Sequence, residues 1–357
     1  MANYSSSLIH LCECFRGSVP KNVDWMSLLG LANQTLTTPA LMDFTIRFGE
    51  HIPEDVCLYV REIFKRNLVR NDRLAAQLTE AVVAMNDRGV TPILLKSTAI
   101  LMTEPSHQRG TKIMSDLDIM VAPDEVDSVL DGLFALGYSV HFQAQPGTEK
   151  RYADLKRPSD VGMIDLHEKP PGPAYFYRAS GDLKQHCQLI PVARGSAYVP
   201  SPTYQALILT IHDQFQDSDY WIGNIDVRHL LALRDLVNSP EGIDWDKLSC
   251  LMPSRLARNA LETQLITLSS LLGVDVPAHL RKRFVPRLQY RRRLAQAHFP
   301  ALRQAFLIVA LLDYRNYRSG VGALRENEVE RRRWKLPKPG TLRFLLRLSR
   351  EHRVGKV

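Results

Sequence analysis

Cysteine pairs at metal or disulfide spacing are missing from this 357-residue chain. Its five cysteines, Cys12, Cys14, Cys57, Cys187 and Cys250, are odd in number and include no CxxC pair. Cys12 and Cys14 stand too close together for most metal or disulfide patterns. A disulfide framework is therefore not expected, and a reducing cytoplasm fits best. Long apolar runs are also missing. The longest lies near residues 306–312, far short of the roughly 20 residues that a spanning helix needs. The opening MANYSSSLIHLCECF has no basic n-region and no clear cleavage site, so no secretory signal is expected. Internal repeats and low-complexity segments are absent.

The residues are 45% hydrophobic and 24% charged, which is ordinary for a soluble globular protein. The length suits two or three structural units and a sizeable core. The net charge of +8 conceals an asymmetry. Residues 281–357 hold 21 Lys+Arg against 5 Asp+Glu, a balance of +16. The other 280 residues hold 25 and 33, a balance of −8. The basic block suits nucleic acid, anionic lipid or a polyphosphate ligand. It suits a solvated Arg-rich helical face equally well.

Residues 1–80 read as helical, with apolar positions spaced by three and four over 26–36, 53–68 and 71–85. At 90–95 a short apolar run after a turn signal reads as a buried strand. A helix or helical turn follows over 96–102, then a polar loop over 104–111. Residues 115–121, SDLDIMV, alternate as a half-buried strand does. Pro123 and early acidic residues open a helix that Gly137 closes. Strands follow at 138–142 and 161–167. This is an α+β pattern: a small mixed sheet with helices on one side. From residue 202 the chain is helical again. The expected division is a helical region 1–80, a core 81–200, a helical region 201–330 and a basic tail 331–357. Within that tail, 341–350 is basic and amphipathic, the kind of segment that can lie on a membrane surface.

The sharpest chemical signal is Asp116-Leu117-Asp118. Residues i and i+2 of a strand share a face, so two carboxylates stand side by side while Leu117 turns to the core. Such close like charges repel unless a cation lies between them. Hard oxygen ligands suit Mg²⁺ or Mn²⁺. Asp165 sits between Ile164 and Leu166 on a later strand, with His167 on its face. If the two strands are neighbours, Asp165 completes a cluster of three. Lys96-Ser97-Thr98 falls where a strand passes into a helix. Backbone N–H groups, an ammonium and two hydroxyls there would hold phosphate. A strand-end Lys with a capping Ser is the plainer alternative.

The stretch ILLKSTAILMTEPSHQRGTKIMSDLDIMV, the helix ending in LGY, and MIDLHE together resemble the uncharacterised nucleotidyltransferase family of the DNA polymerase beta superfamily. The resemblance runs over about residues 75–240. It implies that Asp116 and Asp118 bind catalytic metals. It makes Asp165 the third carboxylate, able to draw the proton from an acceptor hydroxyl. Lys96, Ser97, Thr98, Lys112, Ser115 and His167 would line the nucleotide side. There are three departures, one of them a slightly long loop between Lys96 and Asp116. Ser97 stands where the family has Gly, and Lys112 where it has Arg, which keeps the charge but loses the bidentate fork. The implied reaction moves an NMP from an NTP to an acceptor hydroxyl or phosphate with release of pyrophosphate. The acceptor would be a small molecule, peptide or glycan, or an RNA end reached through the basic block. A non-catalytic nucleotide-binding or nucleic-acid-binding module is the alternative class. In the helical half, His212, Asp213, Asp226, Arg228 and Asp235 would line a cleft or form buried polar pairs. Tyr220 and Trp221 would stack on a base or belong to the core.

Overall fold

The computed structural model describes residues 4–144, 152–299 and 301–306. The basic tail 331–357, its piece 341–350 and most of the helix expected over 301–314 lie outside the described residues.

Three short helices, α1 (Tyr4–Phe15), α2 (Trp25–Gln34) and α3 (Met42–Phe48), open the chain. Asp24 caps α2 by accepting the N–H groups of Met26 and Ser27. They lead to α4 (Glu54–Asn86), a single 33-residue helix. The two helices expected over 53–68 and 71–85 merge, because no Pro or Gly lies between them to break the backbone ladder.

Alternation then takes over. The order is β1 (Ile93–Leu94), α5 (Lys96–Thr103), β2 (Asp116–Met120), α6 (Val126–Ala135), β3 (Ser139–Gln143), β4 (Ala153–Lys156) and β5 (Met163–His167). A hairpin of β6 (Cys187–Val192) and β7 (Gly195–Pro200) completes the sheet. Six further helices follow: α7 (Pro202–Ile211), α8 (Asp219–Ile222), α9 (Val227–Val237), α10 (Trp245–Cys250), α11 (Arg255–Leu272) and α12 (Phe284–His298).

The sheet is larger than the sequence pattern suggests. Its seven strands run in the order β3-β4-β5-β2-β1-β7-β6. The unforeseen members are β4, β6 and β7. β4 has only four residues, and β6 is a largely exposed edge, so neither of these two carries a clean hydrophobic alternation. Nor are helices confined to one face. On one face Leu117, Ile119, Leu155, Ile164 and Leu166 pack beneath α4 and α6 in one core cluster. Each is at most 1% exposed, and such burial is worth about 1.5–3 kcal/mol per side chain. On the other face Ile93, Leu95 and Met120 join a second cluster made by the N-terminal and C-terminal helices.

Polar residues of α4 hold the loops that lead into the two acidic strands. Asn67 donates to the carbonyls of Gly110 and Lys112, both at 2.8 Å. Asn71 donates to Arg109 O and Lys112 O at 2.6 and 2.7 Å. Arg70 donates to Met114 O and Val161 O, and Gln77 to Gly162 O. A Cβ at Gly162 would come within 2.7 Å of Leu74 and 2.9 Å of the Ser115 carbonyl, so only Gly lets the two strands start this close to the helix.

The basic block is divided where it is described: Lys282, Arg287 and Arg291 are exposed, while other cations turn inward. Arg292 and Arg293 are 6% and 3% exposed. Arg292 donates to Trp221 O and Gln289 Oε1, and Arg293 to Gln214 Oε1. Arg283 reaches Glu262 and Asn259, and Arg281 reaches Ser269. Four cations of that block are spent on internal contacts.

The five cysteines are free thiols. Burial pushes Cys12 and Cys14 up to about 12, whereas Cys250 is exposed. The thiolate is the reactive form, so at pH 8 these two thiols should react roughly a thousandfold more slowly than an unperturbed one. Mass spectrometry after alkylation should find Cys250 labelled in the native protein. Cys12 and Cys14 should be labelled only in denaturant.

Candidate active site

The acidic residues come together through strand register. β2 and β5 are adjacent and parallel, with Asp118 directly opposite Asp165 and Met120 opposite His167. Residues paired in register point to one side, so Asp116, Asp118, Asp165 and His167 share a face. It is the face turned away from α4 and α6. Asp118, Asp165 and His167 are each 4% exposed. Asp116 is half-buried at the start of β2, where Ser115 donates to its Oδ1 at 3.0 Å.

Sequence reasoning missed one carboxylate. Asp154 on β4 pairs with Asp165 and is 3% exposed. Asp154, Asp165 and Asp118 thus form a row across three neighbouring strands. The clue was Asp154 set between Ala153 and Leu155, the same apolar-flanked pattern that marked Asp165.

Lys96 lies in this row rather than beside it. Its ammonium donates to Asp118 Oδ1 at 2.8 Å, and His167 Nε2 meets the same oxygen at 2.9 Å. Burial by itself would raise the Asp118 carboxyl. Lys96 and His167 outweigh burial and hold it well below the usual carboxylate range. Lys96 has φ +49°, in the left-handed region. The unusual backbone turn between β1 and α5 is therefore made by Lys96, and Ser97, half-buried behind it, needs no glycine freedom.

Thr98 latches the acidic strand. Its hydroxyl accepts the Asp118 N–H at 2.8 Å, and the side chain is fully buried. A Thr98→Val variant keeps the shape but leaves that N–H unpaired, which costs about 1–3 kcal/mol. Urea unfolding should show a lower midpoint with an unchanged slope.

Lys112 is committed elsewhere. It pairs with Glu104 Oε1 at 2.6 Å and with Asp235 Oδ2 at 3.2 Å, tying the loop before β2 to α9. Arg70, from α4, is close enough to Asp116 for the two charges to interact.

The helical half supplies a second polar group. His229 Nδ1 donates to Asp213 Oδ1 at 2.9 Å and lies 3.3 Å from Asp226 Oδ2. Asp226 also caps α9, and Gln264 donates to Asp213 Oδ2. His229 thus donates to Asp213 beside the Asp226 charge, and with Gln264 the three form a buried polar network. Tyr220 and Trp221, each 2% exposed, are core residues and not a stacking platform.

The donor chemistry of the acidic row fits a divalent cation. Ligand atoms of Asp118, Asp165 and His167 all lie within 4.8 Å of one another. Three carboxylates on one face supply hard oxygens, and the imidazole admits Mn²⁺ as well as Mg²⁺.

The profile of the uncharacterised nucleotidyltransferase family matches residues 21–273. The chain belongs to that family. Nucleotidyl transfer is the general activity that membership assigns, with a nucleoside triphosphate as the implied substrate. The match takes in α2 and α4 as well as the sheet, so the helices that hold the acidic strands are part of the family's own architecture. No curated protein and no solved structure matches the chain. Among the described residues of this nucleotidyltransferase, no helix is long and apolar enough to cross a membrane.

Proposed function

We propose that the protein is a metal-dependent nucleotidyltransferase that moves an NMP from an NTP to an acceptor hydroxyl or phosphate. The observation that carries this reading is the parallel register that sets Asp118 against Asp165 with Lys96 on the same carboxylate. Asp116, Asp118 and Asp165 would hold Mg²⁺ or Mn²⁺, and the bound cations would offset the charge of the triphosphate.

The remaining work falls to the chain itself. Asp165 accepts the proton of the attacking hydroxyl. The acceptor oxygen forms its bond to the α-phosphorus as the bond to the bridging oxygen breaks, and that oxygen leaves with pyrophosphate. Lys96 balances charge on Asp118 before substrate arrives and lies within the row to meet the triphosphate once it has. His167 fixes the same Asp118 oxygen through Nε2. Phosphoryl-type transfer depends mostly on positioning and charge neutralisation, which is what a rigid row of buried acids on a sheet provides. The acceptor class is a small molecule, peptide or glycan.

The test is label transfer and pyrophosphate release from each of four α-labelled NTPs with Mg²⁺, using a cell extract as the source of acceptor. Transfer by the wild type but not by an Asp116→Ala/Asp118→Ala protein is expected. NTP binding with no transfer under any condition would replace this reading with a nucleotide-binding module.

A further inference from the structure

α12 reverses the usual pattern of a surface helix, which turns its apolar stripe inward. Its buried side is polar and consists largely of Gln289, Arg292, Arg293 and Gln296. Gln296 joins the two arginines in tying the helix down, donating to Ile222 O at 3.2 Å. The inward face is thus taken up by hydrogen bonds to Gln214, Trp221 and Ile222. The large apolar residues are left outside. Phe284 is 74% exposed, and Leu288 and Phe299 are each more than half exposed. Phe284, Leu288, Arg291, Ala295 and Phe299 follow one another at intervals of three and four, so they share one face. Arg287 flanks them and, like Arg291, is exposed.

A stripe of large exposed apolar side chains marks a contact surface, and charge decides what it meets. Residues 281–306 hold eight Lys+Arg and no Asp or Glu. A second copy of the chain, meeting this one across a two-fold axis, would set Arg287 and Arg291 against themselves. The 51 residues that follow carry 13 Lys+Arg against 5 Asp+Glu, so their charge repels this face rather than complementing it. Nucleic acid would suit the cations. Phe284 and Phe299, however, stand about 22 Å apart along the helix, too far to stack neighbouring bases. An anionic lipid surface suits both parts of the stripe. The apolar side chains enter the acyl boundary, and the arginines meet the headgroup phosphates.

We propose that the outer face of α12 seats the protein on an anionic membrane surface, with Phe284, Leu288 and Phe299 inserted among headgroups that Arg287 and Arg291 bind. The contact is peripheral and does not depend on the nucleotidyl-transfer reading.

The test is co-sedimentation of the full chain with vesicles of equal parts phosphatidylcholine and phosphatidylglycerol, with vesicles of phosphatidylcholine alone as the control. Wild type should pellet with the first and stay in the supernatant with the second. Phe284→Ser/Leu288→Ser/Phe299→Ser should weaken binding at least about tenfold by removing the inserted surface. Arg287→Gln/Arg291→Gln should weaken it about tenfold or more by removing two headgroup contacts. All five side chains are exposed, so both variants should keep the circular dichroism of the wild type. Size-exclusion chromatography and titration with a labelled RNA, run on the same proteins, cover the other partners. Wild type that ignores anionic vesicles overturns the inference. So does vesicle binding that the triple variant leaves unchanged, which assigns it to another part of the chain. A dimer that the triple variant dissolves, or RNA binding that it abolishes, with vesicles unbound in either case, overturns it in favour of that partner.

Discussion

Replacing Asp118 by Asn is expected to lower nucleotidyl transfer by about a thousandfold or more while the protein still folds. The side chain keeps its shape, so the neighbours Leu117 and Ile119 remain packed in the core. What is lost is a negative charge that three other features are built around. Lys96 and His167 both meet Asp118 Oδ1, and Asp165 faces it in register. Removing even one preorganised neutral donor from an enzyme site costs a factor of about 10²–10³. A carboxylate that binds the metal should cost at least as much. Asp165→Asn should fall equally far, because it removes a carboxylate from the same row and the proton acceptor as well. Transfer rates from the labelled-NTP assay decide the matter, with circular dichroism to check the fold. Turnover by Asp118→Asn within tenfold of wild type would rule out the roles given to the row.

The second large effect is on stability. Lys96→Met should destabilise the metal-free protein by about 3 kcal/mol, because it strips a largely buried carboxylate of its cation. The pair is shielded enough for this to matter: the two side chains are 18% and 6% exposed. The Lys96→Met/Asp118→Asn double variant should regain most of the loss, since the stranded charge goes with the second substitution. Magnesium should narrow the gap between Lys96→Met and wild type, by binding where the ammonium was. Urea titrations with Mg²⁺ and with a chelator measure all three. A Lys96→Met protein as stable as wild type would mean that Asp118 does not depend on this lysine.

The acidic centre was legible in the sequence because its code is local. Asp116, Asp118 and Asp165 each alternate with apolar neighbours, and a period of two is enough to place them on a common side of a strand. Lys96 was recognisable at a strand-to-helix junction, but its contact with Asp118 was not, because that depends on a left-handed turn. Asp154 carried the same local pattern on a strand too short to stand out. The inward arginines were beyond local reading. An Arg-Arg-Arg run looks the same whether water or Gln214 and Trp221 O receive it, and those partners lie some 70 to 80 residues away. Asn67, Asn71 and Gln77 were hidden for the same reason: polar residues on a helix face look solvated until the carbonyls they serve are known.

Those three residues also have a practical bearing, through the length of α4. One unbroken rod begins at Glu54, carries the donors that pin the entry to both acidic strands, and runs on to Asn86. A fragment cut at residue 81 to isolate the sheet would lose every one of those anchors along with most of the rod. A piece that keeps those anchors must therefore begin before Asn67. The family match spans the same rod and strands together, as one unit.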